Sequence, residues 1–373
     1  MRPISVMVVD DSVVVRRLVT DVLSADPDIT VVGTAPNGRI AIAKMPQLNP
    51  DVISLDVEMP VMDGLETLRE LRTTYPDVPV IMFSTLTERG ATATLEALEL
   101  GAQDYVTKPA NVGSVQASMA SVREQLVPKI KALHRSRPGS RAAALGLPHQ
   151  ARDTAAGPGQ AAAAPVLRTA VPREPVGVVV LGVSTGGPDA LATVLPALPA
   201  TLAVPVVVVQ HMPPTFTRLL AQRLDGRSAL EVREAQDGDE VRAGRVLLAP
   251  GDFHLRVHRS GTSVVARLDQ GTPENFCRPS VDVLFRSAAQ LYGGGCLAVV
   301  LTGMGSDGAR GAGDVVAAGG QVLAQDQATS VVWGMPGAVA QAGLATRLLP
   351  LPEVAGAIRR LVERSPHLAA GAR

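Results

Sequence analysis

Twice along this chain, short runs of valine and isoleucine alternate with stretches whose apolar residues recur at helical spacing. Strands this apolar must be covered on both faces, and helices between them make the connections parallel. In the first series, Ser5–Val9 reads as a strand, and Val15, Leu18, Val19 and Val22 repeat as one helix face. Strand-like Ile29–Val32, Val52–Leu55, Val78–Phe83 and Asp104–Thr107 follow, with helical patterns from Arg39, over Leu65–Leu71 and around Ala91–Leu100. Five such units predict a five-stranded parallel, flavodoxin-like sheet. A further helix is expected from Gly113 to about His134.

Residues 135–174 change character: alanine, glycine, proline and arginine dominate, and aliphatic periodicity disappears, which is linker composition. Alternation resumes at Val176. Val176–Gly182, Val204–Gln210, Leu230–Glu234, Val246–Ala249, Cys296–Leu301 and Gln321–Ala324 read as strands. Helices are expected over Asp189–Leu198, Thr217–Leu224 and Val281–Gln290, after Ser306, and near Met335–Ala342 and Val354–Glu363. His254–His258 and Ser263–Leu268 flank a turn and read as a hairpin, with both histidines facing solvent. The expected fold class is α/β with two doubly wound domains. Residues 1–125 form the first, 126–174 a helix extension and linker, and 175–373 a mainly parallel α/β domain carrying a β-hairpin.

Composition narrows the partners. Lysine plus arginine (35) balances aspartate plus glutamate (35), so no net charge draws the chain to nucleic acid or an anionic membrane. No apolar run approaches the ~20 residues needed to cross a bilayer. The opening MRPISVMVVDDS reaches acidic residues too early for a secretory signal. Cys277 and Cys296 fit a reducing compartment and read as small buried hydrophobes. A cytoplasmic protein with no nucleic-acid partner and no membrane insertion is expected.

In an open parallel sheet, ligands collect beyond the carboxyl ends of the strands. Asp10 and Asp11 follow the first strand there and Asp56 the third. Clustered carboxylates repel unless a cation neutralises them, and an oxygen-seeking ion such as Mg²⁺ suits them. A carboxylate beside Mg²⁺ can attack a phosphoryl group while a nearby cation offsets developing charge. Lys108 supplies that cation, and Ser84 can hydrogen-bond a phosphoryl oxygen. Singly, each acid reads more plainly as a helix cap or a solvated loop residue. Together, VVDDS, DVEMPVMDG, FST and TKP resemble the receiver domain of bacterial response regulators, over about residues 4–125. The resemblance implies phosphorylation of Asp56 by a partner histidine kinase, with Mg²⁺ on Asp10, Asp11 and Asp56. It also implies that Ser84 and Tyr105 report the phosphoryl group.

Gly182-Val183-Ser184-Thr185-Gly186 lies between a predicted strand and a predicted helix, the setting in which G-x-S-x-G exposes a nucleophilic serine. An anion cradle and a structural turn fit the loop as well. A dinucleotide site fits less well, because no Asp or Glu lies between Asp189 and Asp225. His211 follows the next strand and can reach the same sheet edge as a general base. Asp307, in the second Gly-rich turn after Leu301, can orient that histidine, though a helix cap is its plainer role. The same turn offers backbone amides for an oxyanion hole.

GVSTGGP, QHMP, CRPSVDVLF and LTGMGSDGARG resemble the catalytic domain of the chemotaxis protein-glutamate methylesterase family, over about residues 176–365. The resemblance implies a triad of Ser184, His211 and Asp307, with the Met304 amide, Thr185 and Gly186 at the oxyanion site and Arg278 in the substrate cleft. The implied substrate is a γ-glutamyl methyl ester on the cytoplasmic helices of a chemoreceptor, and some relatives also deamidate receptor glutamines. Cys277 stands where this family often has histidine. The resemblance further implies that the unphosphorylated receiver covers the cleft of a monomeric enzyme needing no cofactor for ester hydrolysis. A non-enzymatic output module binding an anion or nucleotide is the alternative. A transcriptional regulator is disfavoured by the lack of a helix-turn-helix unit or basic stripe after the linker.

Overall fold

β1 (Ile4–Val9) is buried at every position, as a central strand packed on both faces must be. It lies between β2 (Ile29–Ala35) and β3 (Val52–Asp56) in a computed structural model that describes residues 2–109, 115–136, 167–169 and 174–364. β4 (Val80–Ser84) and β5 (Asp104–Thr107) complete a wholly parallel sheet of order β2-β1-β3-β4-β5. The chain steps from β2 across β1 to β3, and that reversal opens a crevice at the carboxyl edge.

α1 (Val13–Ser24), α2 (Gly38–Leu48), α3 (Gly64–Thr74) and α4 (Glu88–Glu99) begin at Ser12, Asn37, Asp63 and Thr87 respectively. Each of these side chains accepts from the backbone N–H three residues on. α5 (Val115–Ser136) packs behind the sheet. The expected start of this helix at Gly113 and the linker residues 137–166 lie outside the described residues.

The second sheet contains β6 (Val178–Val183), β7 (Val206–Gln210), β8 (Glu231–Glu234), β9 (Arg245–Leu248), β12 (Cys296–Val300), β13 (Gln321–Gln325) and β14 (Arg347–Leu349). Its order is β14-β13-β12-β6-β7-β9-β8, parallel at every pairing. β10 (His254–Ser260) and β11 (Ser263–Asp269) form a separate antiparallel ribbon. The helices are α6 (Gly187–Val194), α7 (Pro214–Asp225), α8 (Val281–Tyr292), α9 (Ala309–Ala317), α10 (Met335–Gln341) and α11 (Leu351–Arg364).

The ribbon corrects one expectation: His254 is 1% exposed, not solvent-facing. β10 packs on α8, where Val257 N donates to Ser287 Oγ, and His254 Nδ1 accepts from Ser280 N at 3.3 Å. His258 alone of the pair faces water.

The two sheets meet through β5 and α4 on one side and α6 and α7 on the other. Tyr105 stacks on Phe216, with ring centroids 4.7 Å apart and planes 9° from parallel. Along α4, Glu88 pairs with Arg218, and Glu99 pairs with Arg223 and Arg227.

Candidate functional site

The acidic crevice of the first sheet assembles as its strand ends predict. Asp10 and Asp56 are buried, Asp11 is exposed, and the three offer carboxylate oxygens within 4.8 Å of one another. Lys108 Nζ lies 2.9 Å from Asp10 Oδ2 and 2.7 Å from Asp56 Oδ2, yet neither oxygen has an aligned hydrogen-bond donor. Burial, then the Asp10 charge, raises Asp56 to about 6 despite Lys108. Two buried carboxylates sharing one ammonium, with oxygens left incompletely bonded, fit a hard cation such as Mg²⁺.

Ser84 is fully buried, and its hydroxyl donates to Gly90 O at 3.1 Å, at the start of α4. Tyr105 points inward onto Phe216 rather than out to solvent. Ser84 and Tyr105 therefore touch the elements that contact the second domain.

In the second sheet, β12, β6 and β7 are neighbours, so their carboxyl ends bring Asp307, Ser184 and His211 to one rim. The serine turn is tight because Gly186 adopts φ +75°, and a side chain there would strike Val331. Ser184 N donates to Thr302 O at 3.0 Å, and Gln210 Nε2 donates to Ser184 O at 3.0 Å. The turn is thus tied to both flanking strand ends.

His211 Nε2 lies 2.8 Å from Asp307 Oδ2. Asp307 is almost fully buried and also accepts from Asn275 Nδ2 (2.8 Å), Ser280 Oγ (2.8 Å), Val281 N (2.7 Å) and Asp282 N (3.2 Å). Burial opposes its ionisation, but His211, the Val281 amide and the Ser280 hydroxyl hold it down to about 2. Two of the donors are amides in the first turn of α8, where backbone N–H groups converge on negative charge. Ser280 occupies the N-cap position of α8, but its side chain serves Asp307 instead of its own helix.

Ser184 and His211 line one small cavity of about 20 Å³ between the domains. No hydrogen bond joins Ser184 Oγ to His211. Both ring nitrogens are engaged, Nε2 by Asp307 and Nδ1 by Cys277 Sγ at 3.6 Å. Cys277 is therefore half-buried beside an imidazole, which corrects its reading as a buried hydrophobe; Cys296 is buried as expected. Burial disfavours the imidazolium, but Asp307 and Cys277 outweigh it and raise His211 to about 10.

The loop carrying Met304 lies against the serine, since a side chain on Gly303 would approach Ser184 Cβ to 2.9 Å. Thr185 is buried, and its hydroxyl donates to Asp104 Oδ2 of the first domain. Arg278 lines the wider cleft, but its guanidinium is held by Asp252 and by the carbonyls of Gln270 and Gly271. Asn275 escaped sequence reasoning; Ser280, read beside Arg278 as able to shape the substrate cleft, and Asp282, within CRPSVDVLF, turn instead to Asp307 and Asn275. The only sign of Asn275 was its place in a polar run ahead of a predicted helix.

Residues 179–358 match the CheB methylesterase family, and residues 6–120 match the response regulator receiver domain. The chain is 56% identical to a protein-glutamate methylesterase/protein-glutamine glutaminase of Nocardioides sp., over 98% of this chain and 97% of that one. It is 49% identical to a protein of the same description from Trichodesmium erythraeum, over 96% of this chain and 98% of that one. The crystal structure of the Thermotoga maritima CheB methylesterase catalytic domain is 46% identical, covering 50% of this chain and 99% of that one, with a TM-score of 0.50.

Proposed function

The chain belongs to the protein-glutamate methylesterase/protein-glutamine glutaminase family, a phosphorylation-regulated hydrolase with a receiver domain, and from that premise we propose how its own residues act. Ser184 is the nucleophile, His211 its base, and Asp307 orients and supports the imidazole. The observation that carries this reading is the 2.8 Å Asp307–His211 contact at the end of the strand beside the one that delivers Ser184.

In the neutral form of His211, with Nε2 held by Asp307, Nδ1 exchanges Cys277 for Ser184 and takes its proton as Oγ attacks the γ-carbonyl of a methylated receptor glutamate. Methanol leaves with that proton. Water then attacks the glutamyl-serine ester, giving up a proton to His211, and Ser184 Oγ is reprotonated as the free carboxylate departs. Backbone amides of the loop containing Met304, with Thr185 and Gly186 opposite, stabilise the oxyanion; one such donor is worth roughly 3 kcal/mol. A glutamine side chain follows the same course with ammonia as the leaving group.

A cytoplasmic histidine kinase phosphorylates Asp56. Mg²⁺, held by Asp10, Asp11 and Asp56, would offset the charge of the incoming phosphoryl group. Lys108 and Ser84 then contact the phosphoryl oxygens. The receiver restrains the enzyme by lying across the Ser184–His211 cavity, which Asp104, Tyr105 and Lys129 help to line. Phosphorylation shifts the population towards an arrangement with that cavity open.

Replacing Ser184 by alanine tests the assignment. Methanol release from methylated receptor should disappear while Asp56 phosphorylation persists; retained release would make the serine loop an anion cradle or a turn.

A further inference from the structure

Cys277 and His211 face each other across a distance with a chemical meaning. The Sγ–Nδ1 separation is 3.6 Å. Zinc binds thiolate sulfur at about 2.3 Å and imidazole nitrogen at about 2.0–2.1 Å, so two ligands of one tetrahedral ion stand about 3.6 Å apart. A gap of that size lets an ion enter between the two donors without moving either side chain far.

The surroundings complete the pattern. Asp307 engages Nε2 at 2.8 Å, so the proton a metal must displace from the ring is the one on Nδ1, the nitrogen on the sulfur's side. Carboxylate, histidine and metal in that order recur in zinc sites, because the carboxylate orients the ring and raises its basicity. His211, Cys277 and Asp307 together present donor atoms within 4.8 Å of one another. His211 and Cys277 also line an open cleft of about 500 Å³, with room for water to fill the remaining coordination positions.

The geometry points to a two-donor site for a soft divalent cation, zinc foremost, on Cys277 Sγ and His211 Nδ1, whose occupancy switches the esterase off. Binding displaces to solvent the protons held at Cys277 Sγ and His211 Nδ1, and it ties up the imidazole nitrogen that would accept the Ser184 proton. The inhibitory half of this inference rests on the reading of Ser184 and His211 as nucleophile and base; the binding half does not. The all-oxygen cluster at Asp10, Asp11 and Asp56 suits hard ions, whereas thiolate and imidazole select zinc over magnesium.

The test uses the full-length protein in excess Mg²⁺, so that the receiver cluster does not compete for the probe. Zn²⁺ affinity is read by competition with a chromophoric chelator, and methanol release from methylated receptor is followed before and after Zn²⁺ and again after EDTA. The unsubstituted chain should bind one equivalent and lose at least tenfold in rate, recovered on chelation. Cys277→Ala and Cys277→Ser should weaken binding at least tenfold, and each should change less than twofold in rate on adding zinc. Cys277→His, which restores a donor, should bind again. Equal zinc affinity in the unsubstituted chain and both non-ligating variants would overturn the site. Ser184→Ala should bind zinc as tightly as the unsubstituted chain. Persistent methanol release by that variant would remove the nucleophile assignment and leave the metal clamp standing.

Discussion

Thr185 Oγ1 donates a 2.5 Å hydrogen bond to Asp104 Oδ2, joining the residue after Ser184 to the first residue of the receiver's last strand. Both side chains are buried, and Lys129 Nζ, 2.8 Å from Asp104 Oδ1, completes the carboxylate's pairing. A charge-assisted contact in this setting is worth about 1.5–3 kcal/mol. Replacing Asp104 by alanine should therefore raise methanol release by the unphosphorylated chain about tenfold and reduce the further gain from phosphorylation. An unchanged basal rate would show that the receiver does not restrain the enzyme through this contact.

Phe216 is fully buried under Tyr105 and shares its core with both domains. Truncating such an aromatic costs about 3–5 kcal/mol. Phe216→Ala should lower the melting temperature, whereas Phe216→Leu should keep most of the fold while weakening the interdomain stack. Limited proteolysis of the leucine variant should become faster without phosphorylation.

Asn275 donates from one amide nitrogen to both Asp282 Oδ2 and Asp307 Oδ1, at 2.8 Å each. It separates two buried carboxylates and steadies the one that holds His211. Asn275→Ala should lower kcat about tenfold with KM nearly unchanged, because the loss falls on the alignment of Asp307 and His211 rather than on substrate contacts. An effect confined to KM would place Asn275 in substrate binding instead.

Burial, followed by the Glu99 charge, raises Asp189 to about 6 from 3.8. The folded chain thus binds this proton more tightly than the unfolded one. The residue has no net effect on stability below about 3.8, costs progressively more as pH rises to about 6, and imposes its full penalty above that. Asp189→Asn should therefore stabilise the protein at pH 8, by roughly 1–3 kcal/mol, and change nothing at pH 3.5. Denaturant midpoints at the two pH values read this directly; equal gains at both would exclude ionisation as the cause.

Asp10 Oδ2 and Asp56 Oδ2 converge on Lys108 with their bonding incomplete. Asp10→Asn should weaken Mg²⁺ binding in calorimetric titration at least tenfold and slow labelling by a small acyl-phosphate donor. Asp56→Asn should abolish the label outright.

The sites legible in the sequence share one property: they sit at strand ends. Once Val178–Val183 and Val206–Gln210 are parallel neighbours, Ser184 and His211 must share an edge, and the same logic places Asp10, Asp56, Ser84 and Lys108. Asn275 and Ser280 were not legible in this way, because they lie in the irregular stretch before α8, where no periodicity fixes direction. His254 misled for a related reason. A ribbon has two faces, and which of them meets α8 is decided by packing, not by the ribbon's own residues.

Local pattern alone determined the two series of strands and helices, since burial of a valine run and the pitch of a helix are properties of neighbours in the chain. Tertiary structure decided what the strand ends do to one another: the thiol at His211, the amides of α8 on Asp307, and the reach of Thr185 to Asp104 across 81 positions of sequence. Those contacts depend on the docking of elements remote along the chain, and the sum of many weak packing terms that sets it leaves no signature in any short segment.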